Sequence, residues 1–287
     1  MVQSQSFLNQ FQYHSEGAYF DFRYKRNSRQ LTEIPQFSDA FVKLVNRDFF
    51  KADFNFPIHV FVSEDRVQYK SFVVRELHID DPPGFGVYVP THNLFATYED
   101  SGMGTFAHEI MHPLVERNLS DRPLWAKEGI PTFFEKFYGY WKNDELIVYW
   151  GFQNPWRIAE IGTNLTRLDL RQIITDPKPS TNSSPFVRNE SELRMVSVFL
   201  WEKGRFKRFL NLIAAHDKAG FQSYLEAAMG MPIEKILPLW QSYLEEVASN
   251  RASILTLPVS TILPDETAFR TFVMINKISL RRRNQSD

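Results

Sequence analysis

A pair of histidines four residues apart, with a glutamate directly after the first, most constrains how this chain can fold. Residues 108–112 read HEIMH. In an α-helix, residues four apart lie on one face, so the imidazoles of His108 and His112 can reach the same metal ion. Glu109 projects close to that face, where a carboxylate can hold a water molecule and accept its proton. The motif therefore predicts a helix that carries two metal ligands and a general base.

The flanking sequence also favours a helix. Ser101 or Thr105 is available as an N-cap. Apolar residues then recur at three- and four-residue spacing: Phe106, Ala107, Ile110, Met111, Leu114 and Val115. Pro113 lacks an amide hydrogen and crowds the carbonyl of Glu109, so we expect a kink or a loosened turn just after the second histidine. We expect this helix to end near Asn118.

A third ligand is needed, because a catalytic zinc takes three protein ligands and keeps one position open for water. Glu128 is the main candidate, in a second helix that Asp121 or Ser120 can cap and whose first turn suits Pro123. In an antiparallel helix pair Glu128 would face the two histidines. Glu135 is a weaker candidate because it lies two turns further on. A solvated glutamate on a helix surface is the alternative for Glu128.

The two motifs together resemble those of a known family. HEIMH, followed after a short loop by W-x-x-E-G, is similar to the gluzincin zinc metallopeptidases of the peptidase MA-like group. The resemblance implies that His108, His112 and Glu128 hold Zn²⁺ and that Glu109 is the general base. It further implies a zinc-dependent peptidase that hydrolyses peptide bonds in peptide or protein substrates by Glu-assisted attack of a metal-bound water.

The order of predicted elements indicates an α+β protein. Strands are predicted at 18–24, 58–63, 85–89, 94–98 and 145–150. Helices are predicted over about 36–50, 192–202, 203–216, 220–229 and 233–248. The resemblance implies a zincin-like arrangement, with an N-terminal mixed sheet and helices, a mostly helical C-terminal lobe, and the zinc site in the cleft between them. We therefore expect lobes at 1–118, ending in the zinc helix, and 119–250, carrying the third ligand. Residues 251–287 are expected to form a C-terminal arm or tail.

The strand predicted just before the zinc helix is a candidate for substrate binding. In the resembling family, an edge strand in this place pairs with the extended backbone of the substrate, as in β-augmentation. That resemblance assigns the role to Leu94, Phe95 and Ala96. An ordinary hairpin strand is the alternative.

The resembling family also supplies a tyrosine or histidine from its later helices to stabilise the oxyanion. The corresponding stretch of this chain contains neither residue type. Arg188, Asn189 and Arg194 are the candidates there, with Tyr149 and His216 more distant, and ordinary surface chemistry is the alternative for each. A catalytically impaired zincin-fold protein that binds zinc and peptide or protein partners without turnover is therefore the second hypothesis. A coincidental motif without any metal is the third.

Composition excludes several classes of protein. The net charge of −1 argues against a nucleic-acid binder, and the run Arg281-Arg282-Arg283 is too short to change this. The chain has no cysteine, which excludes disulfides and thiolate metal sites. It has no apolar run of membrane-spanning length and no N-terminal signal pattern. We expect a cytoplasmic protein if the chain is complete and an exported one if a signal has been trimmed; the oligomeric state is left open.

Overall fold

The computed structural model describes most of the chain: residues 10–26, 30–50, 57–119, 124–175, 183–215 and 220–278. For residues 30–32, 124–125, 175 and 183–189 it describes the backbone alone. The chain forms two compact units, Met1–Leu114 and Val115–Asp287. Both units combine a sheet with helices, so the predicted α+β class is confirmed.

The first unit is built on a five-stranded mixed sheet. Its strands are β1 (Tyr13–Glu16), β2 (Phe20–Tyr24), β3 (Ile58–Ser63), β4 (Gly86–Val89) and β5 (Leu94–Tyr98). They lie in the order β1-β2-β3-β5-β4. The three central strands β2, β3 and β5 run parallel, whereas β1 and β4 pair antiparallel at the two edges.

Helices cover both faces of this sheet. They are α1 (Gln30–Asp48), α2 (Arg66–Glu76) and α3 (Met103–Asn118), with 3-10 turns at Pro90–His92 and Glu99–Ser101. On one face, Phe61 of β3 shares a buried cluster with Tyr69 and Phe72 of α2. On the other face, Phe95 of β5 packs edge-to-face against Phe106 of α3, with ring centroids 5.5 Å apart. Successive strand residues point to opposite faces, so one strand contributes to both layers of the core.

The second unit contains a small sheet and most of the helices. Strands β6 (Tyr138–Lys142), β7 (Glu145–Tyr149) and β8 (Thr261–Leu263) lie in the order β7-β6-β8, with β6 parallel to β8 and antiparallel to β7. The helices are α4 (Leu124–Phe134), α5 (Pro155–Ile161), α6 (Leu170–Thr175), α7 (Ser183–Glu202), α8 (Phe206–Ala215), α9 (Gly220–Met229), α10 (Ile233–Ser249), α11 (Arg251–Leu255) and α12 (Glu266–Ile275), with a 3-10 segment at Gly162–Arg167. Helix α7 packs along α4 and α5.

The predicted C-terminal arm belongs to the second unit as far as the structure describes it. Residues 251–278 supply α11, β8 and α12. The carbonyl of Pro258 accepts hydrogen bonds from the ammonium group of Lys136 and from the hydroxyl of Tyr138, the latter at 2.9 Å. The division between the units falls after Leu114, inside α3, and so precedes the predicted boundary at 118.

None of the helices in the described ranges is both long enough and apolar enough to span a lipid bilayer.

Candidate metal centre

The helix predicted around the HEIMH motif is present as α3. It begins after Gly102, whose φ of 85° favours glycine, and the amide of Phe106 donates to the Gly102 carbonyl at 3.3 Å. The hydroxyl of Thr105 donates to the carbonyl of Ser101 at 2.8 Å instead of capping an amide. The helix ends at Asn118, as expected, and Pro113 lies inside it without ending it. All six apolar residues of the predicted stripe are buried.

The structure brings the three predicted ligands together. His108, His112 and Glu128 each offer a ligand atom, and these atoms lie within 4.8 Å of one another. The two imidazole rings have centroids 4.9 Å apart and planes inclined by 71°. We call these three residues the metal group.

The donor atoms of the metal group suit zinc. Two imidazole nitrogens and one carboxylate oxygen form a mixed set of the kind found in catalytic zinc sites, whereas calcium and magnesium favour oxygen ligands. Three protein donors also leave one position of a tetrahedral ion open. The group could therefore hold a metal ion, and its mixed nitrogen and oxygen donors are compatible with a transition-metal ion such as Zn²⁺.

Glu109, the predicted general base, is buried beside the metal group. Its side chain is 7% exposed, and its Oε2 atom lies 3.7 Å from Nε2 of His112. The backbone of strand β4 approaches this carboxylate closely. A Cβ atom on Gly86 would lie 3.0 Å from Oε1 and 3.1 Å from Cγ of Glu109. The methyl group of Thr105 would also lie 3.0 Å away, so any side chain at this position requires small shifts of Glu109 and Thr105.

Strand β4 also faces the second histidine. The ring of Tyr88 stacks on the imidazole of His112, with centroids 6.0 Å apart and planes only 7° from parallel. Gly86 and Tyr88 were not singled out from the sequence, although the strand that contains them was predicted. The missing information was the position of this strand in the sheet.

The prediction that Leu94, Phe95 and Ala96 form a substrate-binding edge strand is wrong. They belong to β5, which is paired on one side with β3 and on the other with β4. All three residues are at most 1% exposed. Their backbone groups already serve two ladders, so a peptide cannot add to this strand. The edge on this side of the sheet is β4.

Glu128 lies in α4, which packs very closely on α7. A Cβ atom on Gly129 would lie 2.9 Å from Cβ of Leu193, so glycine permits this approach. The Gly129 carbonyl accepts hydrogen bonds from the hydroxyls of Thr132 at 2.7 Å and Ser197 at 3.3 Å. These contacts place the backbone next to Glu128 firmly within the second unit.

The prediction that Arg194 stabilises an oxyanion is also wrong. The side chain is 1% exposed, and its guanidinium donates to the carbonyls of Thr132 and Phe152, the latter at 2.7 Å. Burial lowers the pKa of Arg194 to about 10. The residue instead satisfies a carbonyl in the last turn of α4, where a cation is favourable.

The other oxyanion candidates are placed only in part. The side chains of Arg188 and Asn189, in the first half of α7, lie outside the described residues, as does His216. Tyr149 of β7 stacks on Phe269, with ring centroids 4.8 Å apart, within a cluster of the second unit.

Glu135, the weaker ligand candidate, belongs to a buried ion network. Its carboxylate accepts hydrogen bonds from both Nε and Nη2 of Arg157, and Nη2 also lies 2.8 Å from Glu190. Glu160 lies 3.8 Å from Nη1. Burial disfavours the charge of Arg157, but the carboxylates of Glu135 and Glu190 outweigh it and raise the pKa of the guanidinium. We call these four residues the Arg157 network.

Comparison with models of known protein families gives no match, and comparison with curated proteins also finds no similar sequence. The motifs and the geometry of the metal group are therefore the features that point to a function.

Proposed function

We propose that this protein is a zinc-dependent peptidase of the gluzincin type. The observation that carries the proposal is the convergence of ligand atoms from His108, His112 and Glu128 within 4.8 Å, next to the buried carboxylate of Glu109. His108, His112 and Glu128 would hold the ion. A zinc ion bound there supplies a Lewis acid that polarises the substrate carbonyl and lowers the pKa of water.

Glu109 would perform the proton transfers. Its carboxylate orients the attacking water and accepts its proton, then delivers that proton to the leaving amine. Its burial beside His112 keeps the carboxylate at the reacting centre and limits the bulk water that competes for it. Attack by water forms no acyl-enzyme, so this mechanism needs no serine or cysteine nucleophile.

The substrate class we propose is an extended peptide or protein segment. Strand β4 is the sheet edge nearest in sequence to α3, and its Gly86 lies against Glu109. A peptide that added to β4 by β-augmentation would run past Glu109. We therefore assign the pairing with substrate backbone to β4 instead of to Leu94, Phe95 and Ala96 in β5.

Replacement of Glu109 by glutamine tests the mechanism directly. Glu109→Gln should retain zinc, measured by elemental analysis, and lose at least about 100-fold in peptide cleavage because the base is absent. Cleavage is followed by mass spectrometry of a mixed peptide library in metal-controlled buffer. Glu33→Gln, at an exposed position of α1, is the control and should behave as wild type. Full cleavage by Glu109→Gln would refute the mechanism.

A second function is favoured by the position of Arg194. Since this candidate donor is buried and bonded to backbone carbonyls, the site has one fewer group for steadying an oxyanion. A zincin-fold protein that binds zinc and peptide or protein partners without turnover would fit that observation. Wild-type protein that contains stoichiometric zinc, binds library peptides and shows no chelator-sensitive cleavage would establish this second function. Protein that contains no metal would refute both functions.

A further inference from the structure

Two residues of β4 face two residues of the HEIMH motif. Gly86 lies against Glu109, and Tyr88 lies against His112. Residues two apart in a strand point to the same side, about 6.7 Å from each other, and residues three apart in a helix rise by about 4.5 Å. Two alternate residues of β4 therefore contact two residues that lie about one helical turn apart in α3.

The pairing of β4 with β5 fixes the position of Tyr88. Tyr88 is the register partner of Phe95 on β5, and Phe95 packs on Phe106 of α3 itself. The ring of Tyr88 is thus held by the strand pairing on the same face of the sheet that α3 covers. All of these contacts lie within the first unit.

His112 has aromatic contacts on two sides. The ring of Tyr88 lies parallel to its plane, and the ring of His108 meets it at 71°. A parallel neighbour opposes rotation of the imidazole out of its plane. Groups behind a metal ligand commonly set its orientation and thereby its affinity for the ion.

We propose that Tyr88 is a positioning residue whose aromatic ring holds the imidazole of His112 in its metal-binding orientation. This inference rests on the proposed function, because it assumes that His112 is a ligand. The aromatic ring, and not the hydroxyl, carries the effect, so phenylalanine should replace tyrosine and an aliphatic residue of similar bulk should not.

The test compares metal binding of wild-type protein, Tyr88→Leu, Tyr88→Phe and Val87→Ala. Val87 is on the same strand but packs against the cluster on the opposite face of the sheet, so its variant controls for weakening of β4. Zn²⁺ affinity is measured by competition with a chromophoric chelator, and the ligand field by the visible spectrum of the Co²⁺-loaded protein. Circular dichroism verifies that each variant is folded.

We expect Tyr88→Leu to bind Zn²⁺ about tenfold more weakly than wild type and to change the Co²⁺ spectrum. Tyr88→Phe and Val87→Ala should stay within about twofold of wild type. Wild-type affinity in Tyr88→Leu would overturn the inference, as would an equal loss in Tyr88→Phe or in Val87→Ala. Wild-type protein that binds no Zn²⁺ would instead overturn the proposed function itself, so the two failures are distinguishable.

Discussion

The metal group and the Arg157 network both gather ionisable side chains, but they do so with opposite chemistry. In the network, the chain supplies its own cation: the buried guanidinium of Arg157 lies among the carboxylates of Glu135, Glu190 and Glu160. In the metal group, two imidazoles and a carboxylate converge, and all three are electron-pair donors. A network of the first kind is strongly destabilised when its cation is removed, whereas a group of the second kind suits the binding of a cation from solution.

The largest expected effect is on the network. Arg157→Ala leaves the buried Glu135 and the partly buried Glu190 without their cation, which should lower the free energy of unfolding by about 3–5 kcal/mol. Denaturant unfolding measures the change. Arg171→Ala is the matched control, because the ion pair of Arg171 with Glu234 is exposed and should contribute less than about 1 kcal/mol. Equal destabilisation by both variants would show that the buried Arg157 network contributes no more to stability than an exposed ion pair.

The metal group should respond in the opposite way. Glu128→Ala should weaken Zn²⁺ binding by more than the roughly 10- to 100-fold that is typical when a residue behind a ligand is lost. Its free energy of unfolding without metal should change little. Lys127→Ala, at the exposed neighbouring position in α4, is the control and should bind Zn²⁺ like wild type. The comparison breaks down if Glu128→Ala retains its metal or unfolds like Arg157→Ala.

The smallest effect concerns Lys136, which is buried and donates to the carbonyl of Pro258. Burial, with a smaller contribution from the charge of Arg194, lowers its pKa to about 7, against an ordinary value of 10.5. Between these values the unfolded chain binds more protons than the folded one, so stability should rise with pH, by at most about 1.4 kcal/mol per pH unit.

Lys136→Met should remove that rise. Denaturant unfolding at pH 7, 8 and 9 measures the slope for wild type, for Lys136→Met and for the control Lys142→Met, whose side chain is exposed beside Glu266. The control should keep the wild-type slope. Identical slopes in all three proteins would show that the lysine does not couple protonation to folding.

Local patterns predicted several elements well. Helix α3 ends at Asn118 as expected, and β5 has the predicted bounds of 94–98. Helices α9 and α10 also lie where apolar residues recur at three- and four-residue spacing. Helix α2 was missed: it buries only Tyr69, Phe72 and Val73. Three buried positions in a short helix give too weak a period to recognise.

The errors in the candidate site have a common origin. Leu94 to Ala96 were placed at a sheet edge because they precede the zinc helix, but β4 folds back and pairs outside them. Arg194 was a candidate because it lies just before the expected helix, but the contact of α7 with α4 buries it. The spacing of apolar residues within one segment predicts neither the order of the strands in the sheet nor the contact of α7 with α4.

The sequence by itself determined the types of donor and their local spacing. The four-residue interval places His108 and His112 on one helical face, and the short interval between the HEIMH and W-x-x-E-G motifs made Glu128 a feasible third ligand. Only the tertiary structure decided that β4 is the edge strand and that Gly86 and Tyr88 face the HEIMH motif. It also decided that Arg194 is buried and donates to backbone carbonyls. The physical reason is that helical periodicity acts between near neighbours in the chain, whereas strand order and burial depend on packing between residues far apart in sequence.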